Sequence, residues 1–293
     1  MRRQTLTLTL ETPEGFTLGG VATSHGWYAL APYRWDAESG SLHRVEALPS
    51  GTVACLEITQ DGPLTVRIDA ELSASEAAEL ERRLRWCLRL DEDLSEFHAL
   101  CAADPALCEA VRPSGGRLLR CPTLFEDVIK VVLTTNTTWT QTKAMAARLV
   151  GTLGPAVPGD PSLRAFPFPQ AVAAAGETAF KEQIRLGYRN GSVLRIAQDI
   201  AEGRLDLESW KDSDLPTPEL RKRLLSLPGV GPYATATLLM ILGRYDELAI
   251  DTELKAHVNR KYFNGRPATE KEMRNIYESW GRWRYLAYWF DPQ

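Results

Sequence analysis

Residues 221–260 have the sequence RKRLLSLPGVGPYATATLLMILGRYDELAIDTELKAHVNR, and this stretch decides the fold. Leucines at helical spacing are followed by Pro228, which ends a helix, and then by a turn that contains Gly229 and Gly231. Both glycines permit a positive φ and the close approach of another backbone. Pro232 suits the first turn of a second helix, which is apolar on all sides and therefore predicted to be buried. We expect a helix, a hairpin, a second helix, a short loop and a third helix.

The turn Gly229-Val230-Gly231 points consecutive backbone N–H groups away from the start of the second helix. Such a helix N-terminus binds anions, and the anion expected here is a DNA phosphate. A Gly-x-Gly turn is weak support by itself. Its pairing with Asp251, which follows Gly231 by 20 residues after a hydrophobic helix and a loop, is much more specific.

LPGVGPYATA at 227–236 resembles the hairpin signature of helix-hairpin-helix DNA glycosylases, and AIDTEL at 249–254 resembles the segment that holds their catalytic aspartate. The resemblance lies between bacterial 3-methyladenine DNA glycosylase II and 8-oxoguanine DNA glycosylase. It extends from about residue 5 to residue 290, and its motifs are specific at 224–254. It implies an α+β fold, in which an N-terminal antiparallel sheet precedes an all-helical glycosylase domain.

Length and composition predict an ordinary globular protein. The chain has 293 residues, 44% hydrophobic and 25% charged, which is enough for about two domains. We place the boundary at PSGG, so that residues 1–112 form the sheet with its following helix and residues 113–293 form the helical domain. No apolar run reaches the ~18 residues of a membrane span, and the N-terminus alternates like a strand. We therefore expect a cytoplasmic protein that does not contact membranes.

The net charge of −4 is unevenly distributed. Residues 1–120 carry 12 basic and 18 acidic side chains, whereas the remainder carries 22 and 20. DNA binding, if present, is thus confined to the C-terminal part. A chain with so little positive charge is expected to rely on backbone amides and on deformation of the duplex.

The five cysteines are scattered, contain no C-x-x-C pair and end at Cys121. Structural thiols are the expected role. The endonuclease III branch of the superfamily holds an iron–sulfur cluster on four clustered C-terminal cysteines, which this chain lacks. No cofactor is expected. A monovalent cation on the backbone carbonyls of Leu225, Leu227 and Val230 is left open.

The first 68 residues are predicted to form strands, and helical periodicity begins at Ser73 with a Ser-x-x-Glu capping box. The predicted strands are LTLTLE, FTLGGVA, WYALAPYRWD, LHRVEAL, TVACLEIT and LTVRID. The aromatic residues of HGWY (25–28) and YRW (33–35) are expected in the core, and a position along the DNA groove is the alternative. Asp91, Glu92 and Asp93 are expected at a solvated helix start and not at a metal site.

The polar loop TTNTTW separates two predicted helices, 123–133 and 139–153. The oxoguanine branch has a similar loop that fills the hole left by an everted base, and Asn136 takes that position. An amide suits the task because it offers both a donor and an acceptor. A helix N-cap is the alternative role for Asn136.

Three shorter helices are predicted over residues 161–203, around 169–175, 177–186 and 192–202. Between the last two, LGYRNG resembles the family loop in which a tyrosine wedges into the duplex and an arginine contacts the widowed base or its strand. By this resemblance Tyr188 is the wedge and Arg189 the contact. Packing of Tyr188 under the loop is the alternative.

The resemblance also implies a pocket for the extruded base. Tyr233, Thr237, Leu286 and Phe290 are assigned to it, and Trp283, Tyr285 and Trp289 are further candidates for its flat apolar walls. Leu286 stands where oxoguanine enzymes place a purine-reading glutamine, so specificity of that kind is in doubt.

Asp251 is the predicted catalytic residue. Breaking a purine N-glycosidic bond builds positive charge on the sugar, and a carboxylate beside C1′ stabilises that charge and orients water. Asp251 also suits the N-cap of the third helix. Bifunctional members place a nucleophilic lysine where this chain has Tyr233, and neither Lys222 nor Lys255 matches that position.

The sequence thus predicts a monomeric, monofunctional DNA glycosylase that flips damaged purines, chiefly N-alkylated ones, out of double-stranded DNA and hydrolyses the N-glycosidic bond. Two alternatives remain. One is a non-catalytic module that binds bent or damaged DNA through the hairpin, and the other is an oxidised-purine glycosylase with lyase activity.

Overall fold

The computed structural model describes residues 5–292, and within them an antiparallel sheet precedes a body of helices. The predicted α+β fold class is confirmed. The first four residues of the N-terminal alternation lie outside the described range. The sheet consists of β1 (Leu6–Leu10), β2 (Tyr33–Asp36), β3 (Ser41–Ala47), β4 (Val53–Gln60) and β5 (Leu64–Asp69), in the order β1-β5-β4-β3-β2.

Alternation of apolar and polar residues positions the sheet on the core. In β5 the side chains of Leu64, Val66 and Ile68 are fully buried, whereas that of Arg67 is exposed on the opposite face. Successive side chains of a strand point to opposite faces, so one face is buried and the other is solvated. The strands predicted at LTLTLE, LHRVEAL, TVACLEIT and LTVRID are confirmed.

The strand predicted at FTLGGVA is wrong, because this segment forms a short helix, α1 (Leu18–Ala22). Thr17 caps the helix by accepting a hydrogen bond from the Gly20 N–H at 3.2 Å. A Cβ atom at Gly20 would lie 1.6 Å from the Pro113 carbonyl oxygen, so glycine is required for this close approach. The strand predicted at WYALAPYRWD is also shorter than expected, because Gly26–Ala29 forms a 3₁₀ turn.

The helical body follows the predicted order. The predicted capping box at Ser73 and Glu76 is confirmed, as is the helix that begins at Trp139 and ends at Leu153 before Gly154. A small hairpin of β6 (Ala156–Val157) and β7 (Asp160–Arg164) was not predicted. The remaining helices are α2 (Ala74–Cys87), α3 (Ser95–Cys101), α4 (Pro105–Val111), α5 (Leu124–Thr134), α6 (Trp139–Leu153), α7 (Pro169–Ala179), α8 (Asn190–Ala201), α9 (Thr217–Leu225), α10 (Pro232–Ile241), α11 (Thr252–Phe263), α12 (Glu270–Ile276) and α13 (Arg284–Phe290).

A buried ion network joins the sheet to α5. Arg44 on β3 contacts Glu126 on α5 at 2.6 Å and Glu46 on its own strand at 2.6 Å. Arg83 on α2 reaches Glu46, and Lys130 reaches Glu126 at 2.7 Å. Burial alone would raise the pKa of Glu126, but Arg44 and Lys130 hold it at about 2. Every charge at this junction therefore has an opposite charge beside it.

The prediction of a solvated acidic helix start is wrong for Glu92. Its carboxylate accepts hydrogen bonds from the Arg89 guanidinium at 2.8 Å and from the Tyr245 hydroxyl at 2.6 Å. Although burial alone would raise the pKa of Glu92, Arg89 and Arg120 lower it to about 2. Since Tyr245 follows α10, this contact ties the loop after α2 to the helical part of the chain.

One hydrophobic cluster includes sheet residues such as Ile58 and Val66 as well as helical residues such as Val128 and Leu239. The segment at 113–116 packs against α1, because Thr17 donates its hydroxyl hydrogen to the Pro113 carbonyl. The domain boundary at 112/113 stays a prediction. Among the described residues, no helix is long and apolar enough to cross a membrane.

Candidate base pocket and DNA-binding hairpin

A cavity of about 630 Å³ opens between the N-terminal 3₁₀ turn, the start of α6, and the helices α10, α11 and α13. Eight of its lining residues carry aromatic rings, which makes it suited to flat ligands. Asp251 is also a lining residue. The ring-bearing residues that line the cavity are His25, Trp27, Trp139, Tyr233, His257, Tyr285, Tyr288 and Trp289.

Asp251 caps α11 and faces the cavity at the same time. Its Oδ1 accepts the Leu254 N–H at 2.8 Å. Burial raises the pKa of Asp251 above its usual value, and the N–H groups of Leu254 and Glu253 oppose part of that rise. Within the described residues it forms no ion pair. One side chain can therefore serve as cap and as a partly desolvated carboxylate at the cavity.

Tyr233 and Thr237 lie one turn apart on α10, and both line the cavity, while their assignment to a base pocket stays a prediction. The Thr237 hydroxyl donates to the Tyr233 carbonyl at 3.1 Å, so its hydrogen already has a partner in the helix. Burial raises the pKa of Tyr233, and the charge of Asp251 adds to the rise, which indicates that the two side chains are neighbours. A phenol that keeps its proton therefore stands beside the carboxylate.

The remaining pocket predictions need correction. Leu286 is fully buried in the core, and Phe290, four residues later and therefore on the same face of α13, packs against that core. Trp283 is buried in a stack on Tyr245 at 5.5 Å between ring centroids. The face of α13 that lines the cavity carries Tyr285, Tyr288 and Trp289 instead.

The N-terminal wall of the cavity comes from residues that we expected in the core. Trp27 donates its indole N–H to Asp127 at 2.6 Å, and burial raises the pKa of Asp127 to about 6. Gly26 lies under Trp139, since a Cβ atom there would be 2.5 Å from the indole ring. Trp27 is also buried in the main hydrophobic cluster, so the expectation of a core position holds for it, and the alternative position along a DNA groove stays a prediction. The sequence signal for this wall was the group of ring-bearing residues around Gly26, with His25 before it and Trp27 and Tyr28 after it.

At the opposite end of the cavity, His257 and Asp291 form an acid–base pair that the sequence did not suggest. The His257 Nε2 atom lies 2.7 Å from Asp291 Oδ2. Burial alone would raise the pKa of Asp291, but hydrogen bonds from His257, Lys261 and Tyr262 lower it. The pair fastens the end of α13 to α11, which carries Asp251.

The hairpin has the predicted form, with one difference. Gly229 has a φ of +79°, and a Cβ atom there would lie 2.8 Å from the Ser192 hydroxyl oxygen. Gly231 has a φ of −94°, which any residue adopts, and apart from its own chain neighbours no heavy atom of residues 5–292 lies within 4 Å of its Cβ position. Only Gly229 is thus required by backbone conformation. Both glycines are exposed at the start of α10, where N–H groups lack helical partners.

Two loops meet beside the hairpin. Tyr188 is 66% exposed, and its hydroxyl donates to the Thr135 carbonyl at 3.0 Å. Arg189 is buried beneath the Tyr188 ring and donates to the carbonyls of Val132 and Thr135. Its guanidinium therefore supports the loop from within, and the predicted contact with the widowed base stays untested. Tyr188 does not pack under the loop.

Asn136 is exposed, has a φ of +44° and follows Thr135, which both Tyr188 and Arg189 contact. The N-cap of α6 is Thr138, which accepts the Gln141 N–H at 3.3 Å. The capping alternative for Asn136 is therefore wrong. The predicted wedge and the predicted filler thus lie on adjoining loops.

Lys222 and Lys255 are both exposed, and neither is a lining residue of the cavity. The Leu227 carbonyl accepts the Val230 N–H at 3.1 Å, so part of its capacity is used inside the hairpin. A cation on Leu225, Leu227 and Val230 stays a prediction. Within residues 5–292, no group of three His, Cys, Asp or Glu side chains is arranged to hold a metal ion.

No protein-family model matches the chain, and no curated protein matches it. Several solved structures do match the chain. The chain is similar to the 3-methyladenine DNA glycosylase from Archaeoglobus fulgidus, with a TM-score of 0.73 and 22% identity over 97% of this chain and 96% of that one.

It is also similar to the apo form of the 8-oxoguanine glycosylase/lyase from Clostridium acetobutylicum, with a TM-score of 0.74 and 18% identity over 97% and 94% of the two chains. The complex of that protein with double-stranded DNA containing cytosine opposite 8-oxoguanine aligns with a TM-score of 0.73 and 19% identity over 99% and 97%. These neighbours cover both chains almost completely. The chain therefore has the fold of the helix-hairpin-helix DNA glycosylases.

Proposed function

We propose that this chain is a monofunctional DNA glycosylase that removes N-alkylated purines from double-stranded DNA by hydrolysis. The observation that carries the proposal is the position of Asp251, a partly desolvated carboxylate that lines the cavity beside aromatic rings and forms no ion pair within residues 5–292. Solved neighbours that act on 3-methyladenine and 8-oxoguanine support glycosylase chemistry of either kind. The cavity walls of this chain favour the alkylated base.

The cavity suits a flat and electron-poor ring. Tyr285 and Trp289 lie parallel, with 6.3 Å between ring centroids and 14° between planes. Faces of Trp and Tyr attract cations, and a purine alkylated on a ring nitrogen is cationic in DNA. Alkylation also weakens the glycosidic bond, so stacking and orientation supply much of what catalysis requires. With Leu286 buried in the core, α13 presents aromatic faces where a reading amide would be needed for an oxidised purine.

Asp251 is the group that acts on the sugar. When the base leaves, positive charge develops at C1′, and the ionised carboxylate stabilises it. The same oxygen atoms orient a water molecule for attack. Because Asp251 also caps α11, the helix holds the carboxylate in one place.

The hairpin and the adjoining loops bind the DNA. The exposed glycines at the start of α10 offer backbone N–H groups to a phosphate. Tyr188 is the wedge that offsets the cost of unstacking, and Asn136 fills the space left by the base. Arg189 acts through Tyr188 and Thr135 by holding their loops together.

Tyr233 at the lysine position of the lyase branch underlies the monofunctional assignment. A Schiff base requires an uncharged amine within reach of C1′, and a phenol supplies none. Lys222 and Lys255 are exposed, away from the cavity lining. We further propose two domains, 1–112 and 113–293, and a monomer in the cytoplasm.

A lesion panel tests the proposal. Duplexes that contain 3-methyladenine, 7-methylguanine or 8-oxoguanine are incubated with the protein, and strand breakage is measured before and after alkali. We expect the methylated bases to be released faster than 8-oxoguanine, breakage only after alkali, and no adduct on borohydride treatment. Faster release of 8-oxoguanine, or an adduct lost in Lys222→Ala or Lys255→Ala, would contradict it. Binding of bent DNA without release of any base would favour the non-catalytic alternative.

A further inference from the structure

His25 lines the cavity, and one of its two ring nitrogens is committed to the protein. The ring lies 4.8 Å from the Trp27 ring and 6.2 Å from the Trp289 ring, measured between centroids. Its Nε2 atom lies 2.6 Å from the Leu119 carbonyl oxygen. A carbonyl oxygen only accepts hydrogen bonds, so Nε2 carries a hydrogen atom and donates it.

The imidazole of His25 is neutral near pH 7. Burial lowers its pKa to about 4, the bond to Leu119 opposes part of this change, and the positive charges of Arg89 and Lys130 add to it. A neutral imidazole has one N–H, and Nε2 already holds that hydrogen atom. The other nitrogen, Nδ1, is therefore an acceptor, and its tautomer is set by the Leu119 carbonyl.

The acceptor atom Nδ1 has no hydrogen-bond partner among residues 5–292, since the bond that His25 makes there is the one at Nε2. The two nitrogens of an imidazole diverge, so a ring anchored at Nε2 directs Nδ1 away from that anchor. His25 is itself a cavity-lining residue. Nδ1 is not among the fully enclosed polar atoms that lack a partner, so it is open to solvent or to a ligand donor in the cavity.

Resting on the proposed glycosylase function, we propose that His25 Nδ1 is a specificity-determining acceptor that takes a hydrogen bond from an N–H group on the edge of the extruded purine. The ligand class is a purine with an amino group or ring N–H on that edge, of which 3-methyladenine is an example. Stacking among the aromatic walls holds any flat base. His25 adds a polar contact that a purine without such a donor cannot make.

Such a contact discriminates because a bound base that lacks the donor displaces solvent from Nδ1 and leaves this acceptor without a hydrogen bond. A pocket built to bond an N–H group rejects the analogue that lacks it more strongly than an apolar pocket rejects a missing methylene. For one neutral hydrogen bond we expect about tenfold weaker binding of the analogue.

The test compares free 3-methyladenine with 3-methylpurine, which carries hydrogen in place of the amino group and adds no bulk. Both are titrated against the full chain while tryptophan fluorescence is followed, because Trp27, Trp139 and Trp289 line the cavity. We expect the wild-type protein to bind 3-methyladenine about tenfold more tightly. His25→Phe keeps the aromatic contacts with Trp27 and Trp289 and should bind both bases equally.

A second measurement does not depend on a folded variant. ¹⁵N NMR of the imidazoles, of which the chain has four, should show His25 with a protonated Nε2 and a bare Nδ1 that shifts when 3-methyladenine is added. A protonated Nδ1, equal binding of the two bases by the wild-type protein, or the same preference in His25→Phe would each overturn the role of His25 while leaving the glycosylase proposal intact. If neither base binds the wild-type protein, the cavity is not a base pocket, and both proposals fail.

Discussion

Glu126 and Asp251 are buried or partly buried carboxylates at the starts of α5 and α11, and their surroundings are opposite. Glu126 lies between Arg44 at 2.6 Å and Lys130 at 2.7 Å, and its pKa is held at about 2. Asp251 receives backbone N–H groups, forms no ion pair within the described residues and has a raised pKa.

The difference separates charges that are paired within the fold from a carboxylate that, under the proposed function, acts on a ligand. A buried carboxylate without a cation costs folding free energy, so its presence at a cavity calls for a role outside stability. At the junction of the sheet and α5 the charges are neutralised within the protein. At the cavity, positive charge would come from the sugar of the substrate as its base departs.

The largest effect on stability is expected at Glu126. Glu126→Gln leaves Arg44 and Lys130 with a neutral amide, and removal of one partner from a buried ion network costs about 3–5 kcal/mol. Chemical denaturation of the variant and wild-type proteins measures this change. Glu177→Gln is the matched control, because Glu177 pairs with Lys181 at 2.8 Å on the exposed surface and should leave stability unaltered. Equal stability of all three proteins would show that the network is dispensable.

Tyr188→Ala should weaken binding to lesion-containing duplex by about 1–3 kcal/mol, the usual contribution of one aromatic side chain stacked on a base. Leu163→Ala is the control, because Leu163 is also exposed, at 42%, but lies on the β6–β7 hairpin. Affinity is measured with a non-cleavable abasic analogue, and thermal unfolding checks both variants. If Leu163→Ala loses as much affinity as Tyr188→Ala, Tyr188 is not the wedge.

The pH dependence of excision should reflect the raised pKa of Asp251. The ionised form is required, so the single-turnover rate should fall about tenfold per pH unit below that pKa, beginning above the pH at which an ordinary aspartate, with a pKa of 3.8, would titrate. The raised pKa of Asp251 affects folding stability in the opposite direction from excision, because it favours the folded state at low pH. This stabilisation is complete below the unfolded-state pKa and is lost as pH rises through the folded-state pKa. A rate that stays constant down to the pKa of an ordinary aspartate would argue against this role.

The two hairpin glycines should differ in what their substitution damages. Gly229→Ala should destabilise the protein by roughly 1 kcal/mol or more, because its φ is positive and Ser192 stands in the way. Gly231→Ala should leave stability unchanged, since its φ is ordinary and its surroundings are open. A loss of DNA affinity in Gly231→Ala therefore reports the approach of the DNA backbone. Unchanged affinity would place the phosphate elsewhere.

Local patterns in the sequence account for much of the fold. Alternation predicted β1, β3, β4 and β5, and the cap at Ser73 predicted the start of α2. The strand prediction for FTLGGVA was wrong because the apolar residues of this segment also suit a helix. The close packing of Gly20 on Pro113 joins residues far apart in the chain, so local patterns do not reveal it. The prediction that Glu92 is solvated was wrong for the same reason, since its partner Tyr245 lies 153 residues away.

The residues of the candidate site also divide into those that local sequence patterns predicted and those that depend on contacts between distant residues. The hairpin, Asp251, Tyr233 and Thr237 lie in one continuous stretch whose spacing carries the signal, so the sequence alone could predict them as a group, and their roles stay predictions. His25 and Trp27 are held at the cavity by contacts with residues far along the chain, His25 by its bond to the Leu119 carbonyl and Trp27 by its bond to Asp127. Leu286 and Tyr285 are neighbours in the chain but point to different surroundings, and the rotation of a short helix about its axis is set by packing.

Asp251→Asn tests the central claim most directly. Asparagine keeps a capping oxygen for the Leu254 N–H, so stability should change by at most about 1 kcal/mol, and affinity for lesion-containing duplex should survive. Without the negative charge, single-turnover excision of 3-methyladenine should fall by about 100-fold or more. A folded Asp251→Asn protein that binds DNA and excises the base at the wild-type rate would reduce Asp251 to a helix cap and contradict the proposed catalysis.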